Sequence, residues 1–151
     1  MKKFQFPLDT VLNYRRQVQD SLQVELGAFT AEVRRQEEAL AAAWQRYSEI
    51  NSEYREKKAT GMRIAEVRGF ETALEVQEAV ITREAAKLKK LQRQMEAKRR
   101  ELVCAKQDAS SVEKLREKKL RAYTKDLEKS EEQFIDDLVC AGRGSARNAS
   151  L

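Results

Sequence analysis

The sequence contains no histidine and little glycine or proline, with five glycines and a single proline in 151 residues. Domains of ordinary composition carry about 12% of these two residues together, so this backbone has few positions at which it can turn sharply. The missing imidazole removes the side chain that most often acts as a general base near neutral pH and most often ligates metals. The composition therefore favours long helices and weighs against an enzyme.

Cysteines and long apolar runs are equally scarce. The two cysteines, Cys104 and Cys140, fall in one predicted helix and would lie about 54 Å apart at 1.5 Å per residue, which is too far for a disulfide. Two free thiols and an N-terminus without an apolar segment lead us to expect a cytoplasmic protein rather than a secreted one. No run of about 18 apolar residues is present, so no membrane span is expected.

Charge is abundant: 36% of the residues are charged, and the formal net charge is +5. Apolar residues occur in two blocks with heptad spacing, one from about Leu22 to Tyr54 and one from Val67 to beyond Val112. Gly61 lies between the blocks and is the residue type that ends a helix in a left-handed conformation. The pattern predicts a helix over 7–58, a turn over 59–63 and a second helix over 64–140.

Two long helices joined by a short turn fold back on each other. The predicted fold is all-α, a long antiparallel two-helix coiled-coil hairpin spanning 1–141, with a C-terminal helical overhang and a disordered tail at 142–151. One register places Tyr54 opposite Phe70. A register displaced by one heptad pairs nearly as many apolar residues, and the pattern leaves both open.

The two predicted helices differ in length, at about 76 Å and about 117 Å. The longer helix therefore extends past its partner and carries an apolar stripe that nothing in the predicted hairpin covers. The stripe comprises Leu120, Tyr123, Leu127, Phe134 and Leu138. Exposed apolar surface of this size usually binds a partner. The alternatives are self-association, coverage by the N-terminal part of the first helix, and an unremarkable frayed helix end.

A basic stretch from Arg83 to Arg100 contains eight basic residues and two acidic ones. Such a stretch can attract nucleic acid or an acidic protein, or it can serve as a solvated face. Nucleic acid is disfavoured because no aromatic residue is interleaved with the basic ones. Phosphate-binding loops, paired cysteines and nucleophile–base sets are also missing from the sequence. We therefore predict no catalytic residue, metal ligand, cofactor or small-molecule substrate.

The opening segment from Lys3 to Arg15 has the pattern Phe-x-Phe-x-Leu-x-x-Val-Leu and leads into a basic helix. This segment resembles the start of flagellar FliJ-type proteins. The likeness extends to the turn near residue 60, to Leu115–Lys119 and to the acidic stretch Glu131–Asp137, and it covers the chain to about Ala141. The N-terminal motif is its most distinctive part.

The resemblance implies a non-catalytic component of the flagellar type III export apparatus, cytoplasmic and peripheral at the inner membrane. Its implied partners are the hexameric export ATPase, in whose ring the chain would act as a central stalk, the cytoplasmic domain of the export gate, and export chaperones. The gate-binding patch of the family resembles Phe70 and Leu74, whereas its next two positions fall on Gln77 and Ile81 and depart from the family pattern.

For contact with the ATPase ring, the helix lengths more than the resemblance point to the overhang. The residues concerned are Arg116, Lys119, Leu120, Tyr123, Leu127 and Phe134. The alternatives are a nucleic-acid-associated coiled coil, a self-assembling structural coiled coil, or the equivalent stalk of a virulence type III secretion system.

Overall fold

The computed structural model describes residues 2–150, which form two helices and no strand. Helix α1 runs from Asp9 to Thr60 and helix α2 from Ile64 to Ala149. The all-α prediction is confirmed. Helix α1 begins directly after a turn at Pro7 and Leu8, and Asp9 places a negative charge in its first turn, where the helix dipole favours one.

Gly61 ends α1. Its φ of 99° is the left-handed conformation that glycine adopts without a steric penalty, and no other residue in the described part of the chain has a positive φ. The Thr60 hydroxyl donates to the carbonyl of Lys57, 3.1 Å away, and so satisfies an acceptor in the last turn of α1. Helix α2 begins where the main-chain N–H groups of Glu66 and Val67 donate to the carbonyl of Arg63.

The chain divides into two compact units. The turn unit is Asp20–Cys104, and the terminal unit combines the chain up to Gln19 with the chain from Ala105 onward. Each unit contains a stretch of α1 and a stretch of α2, and contacts between the two stretches run in antiparallel order.

In the turn unit, small and branched side chains fill the seam between α1 and α2. The buried residues are Val33, Ala43, Ile81 and Leu102. The rings of Tyr54 and Phe70 pack together with their centroids 5.4 Å apart, a pair that belongs to the first of the two predicted registers. Trp44 is 54% exposed and meets Tyr47 edge-on with a centroid distance of 6.0 Å.

Two glutamines interrupt the apolar seam and bond across it. The Gln36 amide donates both to the carboxylate and to the main-chain carbonyl of Glu84. The Gln77 amide donates to the carbonyl of Ala43 at 2.8 Å. The hydrogen bond from Gln36 lowers the pKa of Glu84, with Lys87 and Arg83 adding smaller contributions in the same direction. Gln36, which breaks the apolar pattern in the sequence, therefore has a specific partner on the opposite helix.

The terminal unit has its own core and a set of ion pairs along its seam. Its buried residues are Phe6, Leu12, Ala105 and Ala109, and Leu12 is the most enclosed at 2% exposure. The small alanines of α2 allow the first helix to approach closely. The ion pairs join Arg15 to Asp108 at 3.3 Å, Arg16 to Glu113 at 2.9 Å, and Arg116 to Asp9 at 3.4 Å.

The disordered tail predicted for 142–151 is not confirmed. Helix α2 continues through Gly142 and Gly144 to Ala149, and Leu151 lies outside the described residues. Neither glycine adopts the left-handed conformation that ends α1. The Ser150 hydroxyl donates to the carbonyls of Ala146 and Arg147 in the last turn. Gly142 therefore weakens the helix without ending it, because glycine lowers helix propensity but keeps its main-chain N–H donor.

Candidate protein-binding surfaces

Phe70 and Leu74, the residues predicted to contact the export gate, lie on α2 in the turn unit and are both half-buried. Phe70 packs on Tyr54, and the Lys57 ammonium lies over the Phe70 ring at 5.4 Å from its centroid. A second lysine, Lys58, lies over the Tyr54 ring at 5.3 Å. Each ring of this aromatic pair thus has an ammonium group over its face, in the geometry of a cation–π interaction.

Beside Phe70 the surface forms a shallow depression of about 290 Å³. It is lined by Arg46, Ile50, Glu53, Glu66, Gly69, Phe70 and Ala73. Gly69 lacks a side chain here, and a Cβ at this position would meet no atom within 4 Å. The glycine is therefore not required by close packing within the chain. Its effect is to keep the depression open next to the Phe70 ring.

Gln77 and Ile81 do not join this surface. Ile81 is buried in the seam, and the Gln77 amide is bonded to the Ala43 carbonyl. These are the two positions at which the sequence departs from the family pattern. Both side chains already make contacts within the turn unit and are not free to bind a partner. The surface that a partner could reach around Phe70 is therefore the depression, and it does not extend along the next two turns of α2.

In the terminal unit, the predicted ATPase-contact residues differ in exposure. Leu120 and Phe134 are exposed, at 37% and 64%, whereas Tyr123 and Leu127 are half-buried. Sequence reasoning missed two further exposed apolar residues beside Phe134, Ile135 and Val139. Each lies one position after a residue of the heptad stripe. Two adjacent apolar pairs, 134–135 and 138–139, widen the apolar face of the helix here, and this widening is the sequence signal that could have revealed them.

Tyr123 is half-buried because the N-terminal residues fold over it. Its ring packs on Phe4 with a centroid distance of 5.5 Å, and its hydroxyl donates to the carbonyl of Lys2 at 2.8 Å. Arg116 is also engaged, since it pairs with Asp9 and its guanidinium lies 5.9 Å from the Phe4 ring centroid. Lys119, in contrast, is exposed and has no ion pair within residues 2–150.

About half of the basic stretch Arg83–Arg100 is neutralised within the turn unit. Arg83 and Lys87 pair with Glu84, and Arg99 pairs with Glu96. Lys98 pairs with Glu25 at 2.8 Å and with Glu101 at 3.3 Å. The hydrogen bond to Glu25, followed by that to Glu101, raises the pKa of Lys98. The remaining basic side chains are spread along α2, and this arrangement favours the solvated face among the predicted alternatives.

The comparison with known proteins supplies the family. The model of the family described as "Flagellar FliJ protein" matches residues 4–149, nearly the whole chain. The chain belongs to the FliJ family. No curated protein and no solved structure matches it significantly. The match begins at Phe4, so it includes the residue whose ring packs on Tyr123.

Membership of the FliJ family indicates a component related to flagellar protein export, associated with the export machinery and non-catalytic. Neither α1 nor α2, over residues 2–150, contains a stretch long and apolar enough to cross a membrane.

Proposed function

We propose that this FliJ-family chain is a non-catalytic stalk protein of the flagellar export ATPase ring, which links the ring to the export gate and escorts export chaperones. The terminal unit contacts the ATPase, and the turn unit contacts the cytoplasmic domain of the gate. Both contacts use apolar surface on α2.

One observation carries the ATPase contact. Toward the C-terminal end of α2, large apolar side chains are open to solvent, and no other element among residues 2–150 covers them. They are Phe134, Ile135, Leu138 and Val139, of which Phe134 is 64% and Leu138 56% exposed. A single helix cannot bury such a patch by itself, and a patch of this kind marks a protein-binding site. Leu120, Leu127 and Tyr123 extend the same stripe toward the seam, flanked by Arg116 and Lys119.

The gate contact is proposed for Phe70 and Leu74 together with the depression beside Gly69. The depression is small, apolar on the Phe70 side and flanked by Arg46, Glu53 and Glu66. These features suit one inserted apolar side chain with polar groups at its edge. Chaperone escort rests on the family alone.

The test of the ATPase contact is binding of purified chain to the export ATPase, together with the rate of ATP hydrolysis. We expect Phe134→Ser/Leu138→Ser to weaken binding at least tenfold, because each buried apolar side chain contributes about 1.5–3 kcal/mol and a factor of ten corresponds to about 1.4 kcal/mol. Both residues are exposed, so the fold should be unaffected.

The matched control is Val24→Ser/Val76→Ser, which removes two apolar side chains of comparable exposure from the turn unit, at 74% and 60%. This control should bind the ATPase within a factor of two of the unaltered chain. If the unaltered chain neither binds the ATPase nor accelerates it, the proposal fails. A dimer of the isolated chain in light scattering that dissociates with Phe134→Ser/Leu138→Ser would instead assign the stripe to a second copy.

A further inference from the structure

Residues 2–8, here called the strap, precede α1 and lie against α2 in the terminal unit. Phe6 is buried, Phe4 packs on the Tyr123 ring, and the Lys2 carbonyl accepts the Tyr123 hydroxyl. The strap thus contains both aromatic residues of the N-terminal motif that is most distinctive in the sequence. Neither residue has a role in the function proposed above.

The two halves of the strap are held differently. Residues 6–8 are tied to the start of α1, since the N–H of Asp9 donates to the Phe6 carbonyl at 3.1 Å and the N–H of Leu12 to the Leu8 carbonyl at 2.9 Å. In residues 2–5 no main-chain group bonds to another main-chain group within the described part of the chain. Three side-chain contacts with α2 hold them. The Phe4 ring packs on Tyr123 and lies near the Arg116 guanidinium, and the Lys2 carbonyl accepts the Tyr123 hydroxyl.

The strap occupies the apolar stripe that the proposed ATPase contact requires. It covers Tyr123, while Phe134 and Leu138 farther along α2 stay exposed. A partner that binds the stripe as far as Tyr123 must therefore take the place of Phe4. Because no main-chain group of residues 2–5 bonds to another main-chain group in the described part of the chain, these residues can leave α2 without breaking helical structure. Such weakly bonded segments open at low free energy.

We propose that the strap is a displaceable cover of the ATPase-binding stripe, which competes with the ATPase for Tyr123. This inference rests on the proposed function for the identity of the competitor. Strap opening itself is a property of the free chain. Docking of the ATPase then releases Phe4 and Lys2 from α2, and a closed strap weakens the affinity for the ATPase.

The first experiment uses the free chain. In a Cys104→Ser/Cys140→Ser background, Phe4→Cys places a thiol in the displaceable half of the strap and Val112→Cys places one in the seam of α2, at two half-buried positions of the same unit. Labelling by a thiol reagent under native conditions should be at least tenfold faster for Phe4→Cys than for Val112→Cys. Equal rates, or rates that follow global unfolding for both, would overturn a separately opening strap.

The second experiment keeps the strap closed. In the same background, Phe4→Cys/Tyr123→Cys is joined by a short flexible thiol-to-thiol cross-linker and compared with the same variant left unlinked. Both forms lack the Phe4 and Tyr123 rings, and the thiols of the unlinked form are capped with a monofunctional reagent of similar size, so that the two forms differ in strap mobility. We expect the linked form to bind the ATPase at least tenfold more weakly. Equal binding would overturn the competition.

The two experiments separate failure of the strap from failure of the proposed function. If the unaltered chain does not bind the ATPase, the proposed function and the competition both fail, while the labelling rates still decide whether the strap opens. If the unaltered chain binds the ATPase and the linked form binds it as tightly as the unlinked form, the proposed function stands, and the strap contributes to stability without competing with the ATPase. A chain lacking residues 2–5 should bind as tightly as the unaltered chain or more tightly; weaker binding would contradict the proposal.

Discussion

The Gln36 amide of α1 is hydrogen-bonded to both the carboxylate and the main-chain carbonyl of Glu84 in α2. The Glu84 side chain is only 14% exposed, so it depends on this donor and on Lys87 and Arg83 at its edge. A register displaced by one heptad would separate the two residues, since Gln77, seven residues before Glu84, would then take the place beside Gln36. The pair therefore specifies the register that the apolar pattern leaves open, as polar seam residues do in other coiled coils.

We predict that Gln36→Leu lowers the midpoint of thermal unfolding by a few degrees, because it leaves the Glu84 carboxylate in the seam without its amide donor. Gln36→Leu/Glu84→Leu should recover most of the loss, since replacing both partners by apolar side chains removes the unsatisfied group. Circular dichroism of the single and double variants measures the coupling. Purely additive effects of the two substitutions would contradict the assigned role.

The same pair predicts a pH dependence. The pKa of Glu84 is lower in the folded chain than the ordinary glutamate value of about 4.3. The ionised carboxylate therefore stabilises the fold fully at pH values above that ordinary pKa. The contribution is lost as the pH falls through the lowered pKa. Between pH 6 and strong acid, the unaltered chain should lose more stability than Glu84→Gln, as measured by urea unfolding at each pH. Parallel losses in the two proteins would refute this account.

Two glycines should respond in opposite ways to substitution by alanine. Gly61→Ala forces an alanine into a φ of 99° and should cost about 1 kcal/mol or more. Gly27 lies within α1 with open space around it, so Gly27→Ala should stabilise the chain by about 0.5–1 kcal/mol. Chemical unfolding of the two variants checks both signs, and a stabilised Gly61→Ala would contradict the left-handed turn.

Gly69→Arg tests the depression that we assign to gate binding. A side chain at Gly69 meets no atom of the chain, and arginine has a higher helix propensity than glycine, so the variant should be about 0.5–1 kcal/mol more stable. Binding to the export-gate domain should nevertheless fall at least tenfold, because the new side chain fills the depression. Gly27→Arg is the matched control in the same unit and should bind normally. Equal binding of both variants would exclude the depression as the contact.

The same reasoning applies to the end of α2. Gly142 and Gly144 have open space around them, so Gly142→Ala/Gly144→Ala should strengthen the last turns of the helix by about 0.5–1 kcal/mol per site. The expected readout is slower amide hydrogen exchange in residues 138–149, with exchange in α1 unchanged. Exchange that stays fast in the double variant would indicate that these turns are not helical in solution.

The sequence was sufficient for the helices and the turn because their signals are local. Heptad spacing and a glycine between two apolar blocks predicted α1, α2 and the turn at Gly61. The predicted helix end at Gly142 is not observed. A glycine within a helix and a glycine that ends a helix look alike in the sequence, and only a positive φ, as at Gly61, distinguishes the second kind. The stripe from Leu120 to Leu138 was also visible from spacing alone, and within it Leu120, Phe134 and Leu138 are exposed while Tyr123 and Leu127 are half-buried.

The strap could not be predicted, since a non-helical segment has no periodicity from which its packing could be read. Phe4 and Phe6 were visible as a motif, but the contact of Phe4 with Tyr123 joins positions more than 100 residues apart in the chain. The depression beside Gly69 was likewise invisible, because open space around a glycine is a property of the packed helices and not of the residue.

Trp44 meets the Tyr47 ring edge-on and is 54% exposed. It is the one tryptophan of the chain, and it belongs to the turn unit. Its emission spectrum therefore reports melting of that unit alone, whereas far-ultraviolet ellipticity sums over both. Fluorescence and ellipticity recorded on one sample thus provide a direct measurement of folding cooperativity: coincident transitions mean that the two units melt together, and separate transitions mean that each melts as its own domain.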